Sequence, residues 1–105
     1  MNTITVCGNI AEPTLRYTTN DKPILTFSLA SSRKVNDEVQ TTWHNVKCFG
    51  TLAENLANVV AKGDRLLVSG RIEAEKWEDK DGNNRTTVFL IADEAGVSMR
   101  WLRTP

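Results

Sequence analysis

Thr41-Thr42-Trp43-His44-Asn45-Val46-Lys47-Cys48-Phe49-Gly50-Thr51-Leu52-Ala53-Glu54 is the stretch whose reading decides the fold. From Thr41 to Gly50 the residues alternate with period two. Trp43, Asn45, Lys47 and Phe49 therefore share one strand face, and Thr42, His44, Val46 and Cys48 share the other. The pattern then changes. Thr51 to Glu54 has the form of a capping box, in which the Thr51 hydroxyl accepts the Glu54 amide and the Glu54 carboxylate reaches back. Leu52, Leu56, Val59 and Val60 continue as an apolar stripe at helical spacing, and Lys62-Gly63 offers a positive last turn with a left-handed stop. A strand thus runs directly into a helix that buries one face.

Upstream, Ile4, Val6 and Gly8 alternate with Thr3, Thr5 and Cys7 in a first strand that ends at Asn9-Ile10, where Glu12-Pro13 breaks it. From Pro23 a second strand turns Leu25, Phe27 and Leu29 to the core, and the polar residues 31–40 read as an exposed loop. Downstream, residues 65–77 form a long fourth strand with a bulge or bend at Gly70. Residues 79–84 are a turn cluster and residues 85–92 return as a fifth strand, while 97–102 read as a short added edge. The predicted fold is all-β with one helix. Five strands with the helix between the third and fourth is the order of the Greek-key barrel called the OB-fold.

The length of 105 residues suits one domain, and residues 1–105 read as a single OB-fold unit. A composition of 40% hydrophobic and 25% charged residues excludes disordered, collagen-like and membrane classes. The apolar run Val88–Ala92 is far too short to span a bilayer, and Met1 to Ile10 has no signal-peptide pattern, so a cytoplasmic protein is expected. Thirteen basic residues balance thirteen acidic ones, so the net-basic footprint of a nucleic-acid-binding domain is missing. Any such function must rest on local arrangement. Cys7 and Cys48 have no CxxC spacing and His44 is the only histidine, so no metal site and no cofactor are expected, and both cysteines read as buried thiols.

An enzyme is the weakest reading. The only imidazole, His44, lies mid-strand beside Val46 and Cys48, where it reads as a packed or interface residue and not as a base. Glu73 with Glu75, and Asp79 with Asp81, read as solvated charge, and no phosphate-cradling glycine-rich loop occurs. The aromatics say more. Trp43 and Phe49 share their face with Asn45 and Lys47, a mixture unsuited to a dry core, and Trp77 follows Lys76 just before a charged turn. Exposed rings interleaved with cations are what a nucleic-acid single strand needs, because bases stack on the rings and phosphates seek Lys or Arg. Arg33 and Lys34 after the second strand, with Lys47, Lys62, Lys76 and Arg85, are the candidate phosphate partners. An OB-fold module that docks a protein on the same aromatic face is the competing reading.

The segments Thr42 to Glu54, Lys62-Gly63-Asp64 with Val68-Ser69-Gly70, Lys76-Trp77 before Asp81-Gly82, and Val6 to Ile10 followed by Pro13 and Leu15-Arg16-Tyr17 resemble bacterial single-stranded DNA-binding proteins. The resemblance runs from Ile4 to Leu102. It implies an OB-fold that assembles as a homotetramer and wraps single-stranded DNA without sequence preference in replication, recombination and repair, associated with the nucleoid. It implies base stacking by Trp43, Phe49 and Trp77, basic contacts by Lys62 and Lys76, and a subunit interface at His44. The chain departs from the family pattern in three places. Val35 stands where many members have a further tryptophan, Glu73 and Glu75 stand at arginine positions, and the Gly/Pro/Gln-rich tail with its acidic tip has no counterpart. The resemblance therefore does not carry over the replication and repair partners recruited through that tail.

Overall fold

Apolar residues at every second position of several strands leave water together when the sheet closes on itself. The computed structural model describes residues 3–100, and it shows this closure. The elements run β1 (Ile4–Tyr17), β2 (Pro23–Val35), β3 (Glu38–Phe49), α1 (Gly50–Val59), β4 (Arg65–Glu78) and β5 (Asn84–Val97). The strands form a closed barrel in the order β1-β2-β3-β5-β4. Neighbours are antiparallel except β3 and β5, which pair in parallel through Val46 with Leu90 and Lys47 with Ile91. Val6, Ile10, Leu25, Phe27, Leu29, Val46, Cys48, Leu66, Val68 and Leu90 fill the barrel, and α1 packs Ala53 and Leu56 onto them. This is the five-stranded OB-fold with its helix between the third and fourth strands.

Several local expectations are corrected. β1 does not stop at Ile10 but continues to Tyr17 through a register shift between Ala11 and Thr14, with Glu12 at φ 53°. The first half of β1 pairs with β4 and the second half with β2. The bulge bends the strand where it changes partner, and Pro13, which has no N–H to give a ladder, falls inside it.

Residues 31–40 are not a loop but the far arm of the β2–β3 hairpin, paired from Ser31 with Thr42 to Val35 with Glu38. Only Asn36 and Asp37 turn, both left-handed at φ 52° and 66°, as a two-residue hairpin with strand-matching twist requires. The arm projects beyond the core, so both faces are mostly polar and the period-two signal disappears while the ladder continues. Arg33 and Lys34 consequently stand on β2 itself.

The capping box does not form. α1 begins at Gly50 with Phe49 as N-cap and no side-chain cap hydrogen bond, because the chain turns straight out of β3 at Gly50, whose φ is +65°. No basic residue lies in the last turn of α1, which ends at Val59, and Val60 donates its N–H to the Leu56 carbonyl at 2.9 Å. Gly63 is left-handed at φ 94° but lies past the helix, donating to the Ile10 carbonyl at 2.8 Å. On the helix Ala53 and Leu56 are buried, Leu52 and Val60 pack partly against the core, and Val59 is exposed.

β4 and β5 behave as a long hairpin whose register shifts between Ser69 and Gly70, at the predicted bend. A Cβ at Gly70 would overlap the Ile91 carbonyl oxygen, so only glycine allows this approach. Beyond the bend β5 continues past Ala92 to Val97, pairing with Leu66 to Ser69 of β4. Of the added edge expected at 97–102, Val97 ends β5 and Ser98 donates to the Arg65 carbonyl at 2.8 Å, while residues 101–102 lie outside the described residues.

Candidate nucleic-acid interface

The outward face of β3 carries Trp43, Asn45, Lys47 and Phe49 in a row, as their alternation predicts, while Val46 and Cys48 are buried behind them. Across the ladder to β2 these residues meet Ala30, Ser28, Thr26 and Ile24. The small Ala30 leaves the Trp43 ring standing clear at 60% exposed, and Phe49, beside Ile24 at the other end of the row, is 48% exposed. Asn9 of β1 pairs with Ala30, and its side chain donates to the Gly63 carbonyl at 2.9 Å, which places the exposed Lys62 turn beside the Trp43 end of the row.

On the other side of β3, the face of β4 that carries Arg71, Glu73, Glu75 and Trp77 joins this surface. The Lys47 ammonium bridges the two, lying 2.6 Å from Glu75 Oε1 and 4.3 Å above the Phe89 ring. Trp77 is 51% exposed and donates its Nε1–H to Thr87 Oγ1 at 2.9 Å. A groove of about 430 Å³ lies along the shared face, between Glu12, Arg16, Thr26, Asn45, Lys47, Glu75 and Phe89. Trp43, Phe49 and Trp77 thus belong to one continuous surface.

The cations divide. Arg33, Lys62 and Lys76 are exposed. Lys34 lies 3.8 Å from Asp37 at the hairpin turn. Arg85 Nε donates to Asp79 Oδ2 at 2.9 Å. Lys47 is not the freely solvated cation the sequence suggested, since its side chain is only 13% exposed. The pattern of alternation also separates Lys76 from Trp77: Lys76 leaves β4 on the opposite face, the one shared with Ile72 and Val88.

Of the expected solvated charges, Glu73, Glu75 and Asp79 are partnered as well, while Asp81 is exposed. Glu73 Oε2 accepts from Arg71 Nε at 2.6 Å, and Arg71 also lies 3.6 Å from Asp93. Asp79 organises its turn, with Oδ1 accepting the amides of Asp81 and Asn83, both at 2.9 Å. The Asn83 amide, then the Arg85 guanidinium and the Asp81 amide, hold its carboxyl below the usual carboxylate range.

His44 is half-buried on the reverse face of β3. It lines a second hollow with Trp43, Ile72, Thr86, Val88 and Leu90, in which Ile72 and Val88 are each about half exposed. Cys48 is fully buried, and burial pushes its thiol up to about 11; Cys7 is half-buried, not fully buried as expected. Among the described residues no group of three His, Cys, Asp or Glu side chains is placed to hold a metal ion, and no helix is long and apolar enough to cross a membrane. Sequence reasoning missed Phe89 and Thr87. Phe89 sat inside an apolar run read as a strand interior, and no local pattern announced the Thr87 partner of Trp77.

A β1-β2-β3-β5-β4 barrel with an outward aromatic row defines an OB-fold with exposed rings on one face, and comparison with known proteins narrows it. Residues 1–98 match the Single-strand binding protein family, and the chain belongs to that family. It is 36% identical over 107 residues to the single-stranded DNA-binding protein of Paenarthrobacter nicotinovorans, covering 94% of this chain and 63% of that protein. The single-stranded DNA-binding protein 1 of Xylella fastidiosa (strain 9a5c) is 35% identical over 101 residues, covering 90% of this chain and 74% of its own length. That of Mycobacterium tuberculosis (strain ATCC 25618 / H37Rv) is 33% identical, with 94% and 65% covered. The chain therefore spans a little under two thirds of the length of its Paenarthrobacter relative.

Proposed function

We propose that this chain binds single-stranded DNA without sequence preference, protecting it in replication, recombination and repair in the cytoplasm, at the nucleoid. The observation that carries the reading is the continuous surface on which Trp43, Phe49 and Trp77 each leave about half of a ring in water. Bases stack on these three rings. Each base–ring contact is worth roughly 1–3 kcal/mol and tolerates every base, since every base has a π-face. Lys34, Lys62 and Arg85 flank the row and supply phosphate contacts that weaken with salt, and Arg33, on the His44 face of the β2–β3 hairpin, meets the strand where it passes round that arm. Lys47 serves the middle of the row. Lys76, on the reverse of β4, meets the strand where it wraps round the β4–β5 hairpin.

In this reading residues 1–105 act as one binding unit and assemble as a homotetramer, and the chain binds without turnover. His44, with the exposed Ile72 and Val88 beside it, lies at a contact between copies, because these two apolar side chains gain by leaving water. The test is fluorescence polarisation of labelled oligo(dT), with a duplex of equal length as competitor. Binding of the single strand that resists the duplex supports the reading. No binding would return the aromatic face to the protein-docking alternative.

A further inference from the structure

Lys47 stands within the aromatic row, two residues from Phe49 and four from Trp43 on the same face of β3. Its ammonium is already engaged, 2.6 Å from Glu75 Oε1, with the Phe89 ring 4.3 Å beneath it. The two partners differ in mobility. Phe89 is packed into the wall of the groove, whereas the Glu75 side chain is 48% exposed and can turn into water without leaving a buried charge. The Lys47 stem is 13% exposed and cannot follow. An incoming phosphate therefore finds the ammonium held in place, with a removable anion on it. The same motif recurs along β4, where Glu73 and Asp93 occupy Arg71.

We propose that Glu75 competes with the bound strand for Lys47, so that DNA binding exchanges one carboxylate for one phosphate at this ammonium. This rests on the reading of the face as a single-strand DNA surface. The exchange has a distinct electrostatic consequence. A phosphate that meets a free lysine gains the whole attraction, whereas here that gain is partly offset by parting Lys47 from Glu75, an ion pair that salt itself weakens. The contact at Lys47 therefore adds less to the salt dependence than a free lysine would, and affinity leans on stacking. Glu75 sets how strongly the protein responds to salt.

The test is a set of oligo(dT) titrations across a salt series for wild type, Glu75→Gln, Glu73→Gln, Lys47→Met and the Lys47→Met/Glu75→Gln pair, with thermal melts of each. Glu75→Gln is expected to tighten binding roughly two- to fivefold at low salt. It also steepens the slope of log affinity against log salt, by up to about 0.7, the value of one more phosphate on a single strand. In the Lys47→Met background the same change does neither, and Glu73→Gln does less, since Asp93 still holds Arg71. Glu75→Ala gives the same direction as Glu75→Gln. An unresponsive Glu75→Gln overturns the proposal. So does equal tightening with Lys47 absent or by Glu73→Gln, which would show a field effect without exchange. Failure of the wild type to bind oligo(dT) overturns the functional reading and this proposal together, whereas binding with an unresponsive Glu75 variant overturns the proposal alone.

Discussion

Trp77 donates its indole N–H to Thr87 Oγ1 at 2.9 Å, one step diagonally along β5 from its direct partner Arg85. The bond ties down the polar edge of the indole and leaves the ring half exposed. A ring held in one orientation gives up little freedom when a base stacks on it. Thr87→Val keeps the shape and removes the acceptor. Oligo(dT) affinity is expected to fall by about 0.5–1.5 kcal/mol with an unchanged melting temperature, read by titration and calorimetry.

Trp43 and Phe49 sit on the outward face of β3, opposite the buried Val46 and Cys48, and little of the core depends on their rings. Trp43→Ala and Phe49→Ala should each weaken binding by roughly 1–3 kcal/mol and leave the barrel's thermal unfolding nearly unaltered. Two melting curves and two titrations decide it. Unchanged affinity in both variants removes the stacking assignment.

Lys76 and Trp77 are sequence neighbours on opposite faces of β4, so one extended strand meets both only by passing round the hairpin. Lys76→Ala is therefore expected to lower the salt slope by about 0.7 with a long oligonucleotide. With one too short to round the hairpin the change should vanish. An equal effect on both lengths would place Lys76 on the same track as Trp77.

The Asp79 carboxylate accepts the Asp81 and Asn83 amides and pairs with Arg85, and its folded-state pKa is lowered from 3.8. A depressed carboxyl stabilises the turn above the unfolded value, and that contribution is lost as pH falls through the folded value. Amide exchange at Asp81 and Asn83 should stay slow from neutral pH down to about 3.8 once corrected for intrinsic rates, then accelerate. Asp79→Ala should show the faster exchange at every pH.

The barrel was legible because its core positions announce themselves. Val6, Leu25, Phe27, Leu29, Val46 and Cys48 alternate with polar residues on strands whose other face is wet, and all are buried. What escaped the sequence lies where that alternation carries no information. Ser31 to Gln40 is mostly polar on both faces, with only Val35 and Val39 apolar, because the arm leaves the core, so a ladder looks like a loop. Glu12-Pro13 reads as a strand end because a bulge and a break share the same residues, and only the change of partner from β4 to β2 tells them apart. The Thr51 capping box failed for a geometric reason: Gly50 makes the turn by itself.

At the candidate site, alternation placed Trp43, Asn45, Lys47 and Phe49 on one face correctly, since period two is local. The pairing of Lys47 with Glu75 spans 28 positions and depends on β5 seating Phe89 between the strands, which no local window contains. Glu75 was visible as an acid at a position where the resembling family has arginine, but its target was not.

The central claim, that bases stack on the exposed rings of this barrel, is tested most directly by titrating intrinsic tryptophan fluorescence with oligo(dT) at low and moderate salt, beside a duplex of equal length. Trp43 and Trp77 are two of the three tryptophans. Strong quenching by the single strand alone, weaker at the higher salt and reduced in Trp43→Ala and Trp77→Ala, is the predicted result. Emission that does not respond to the single strand, or responds equally to the duplex, would contradict it.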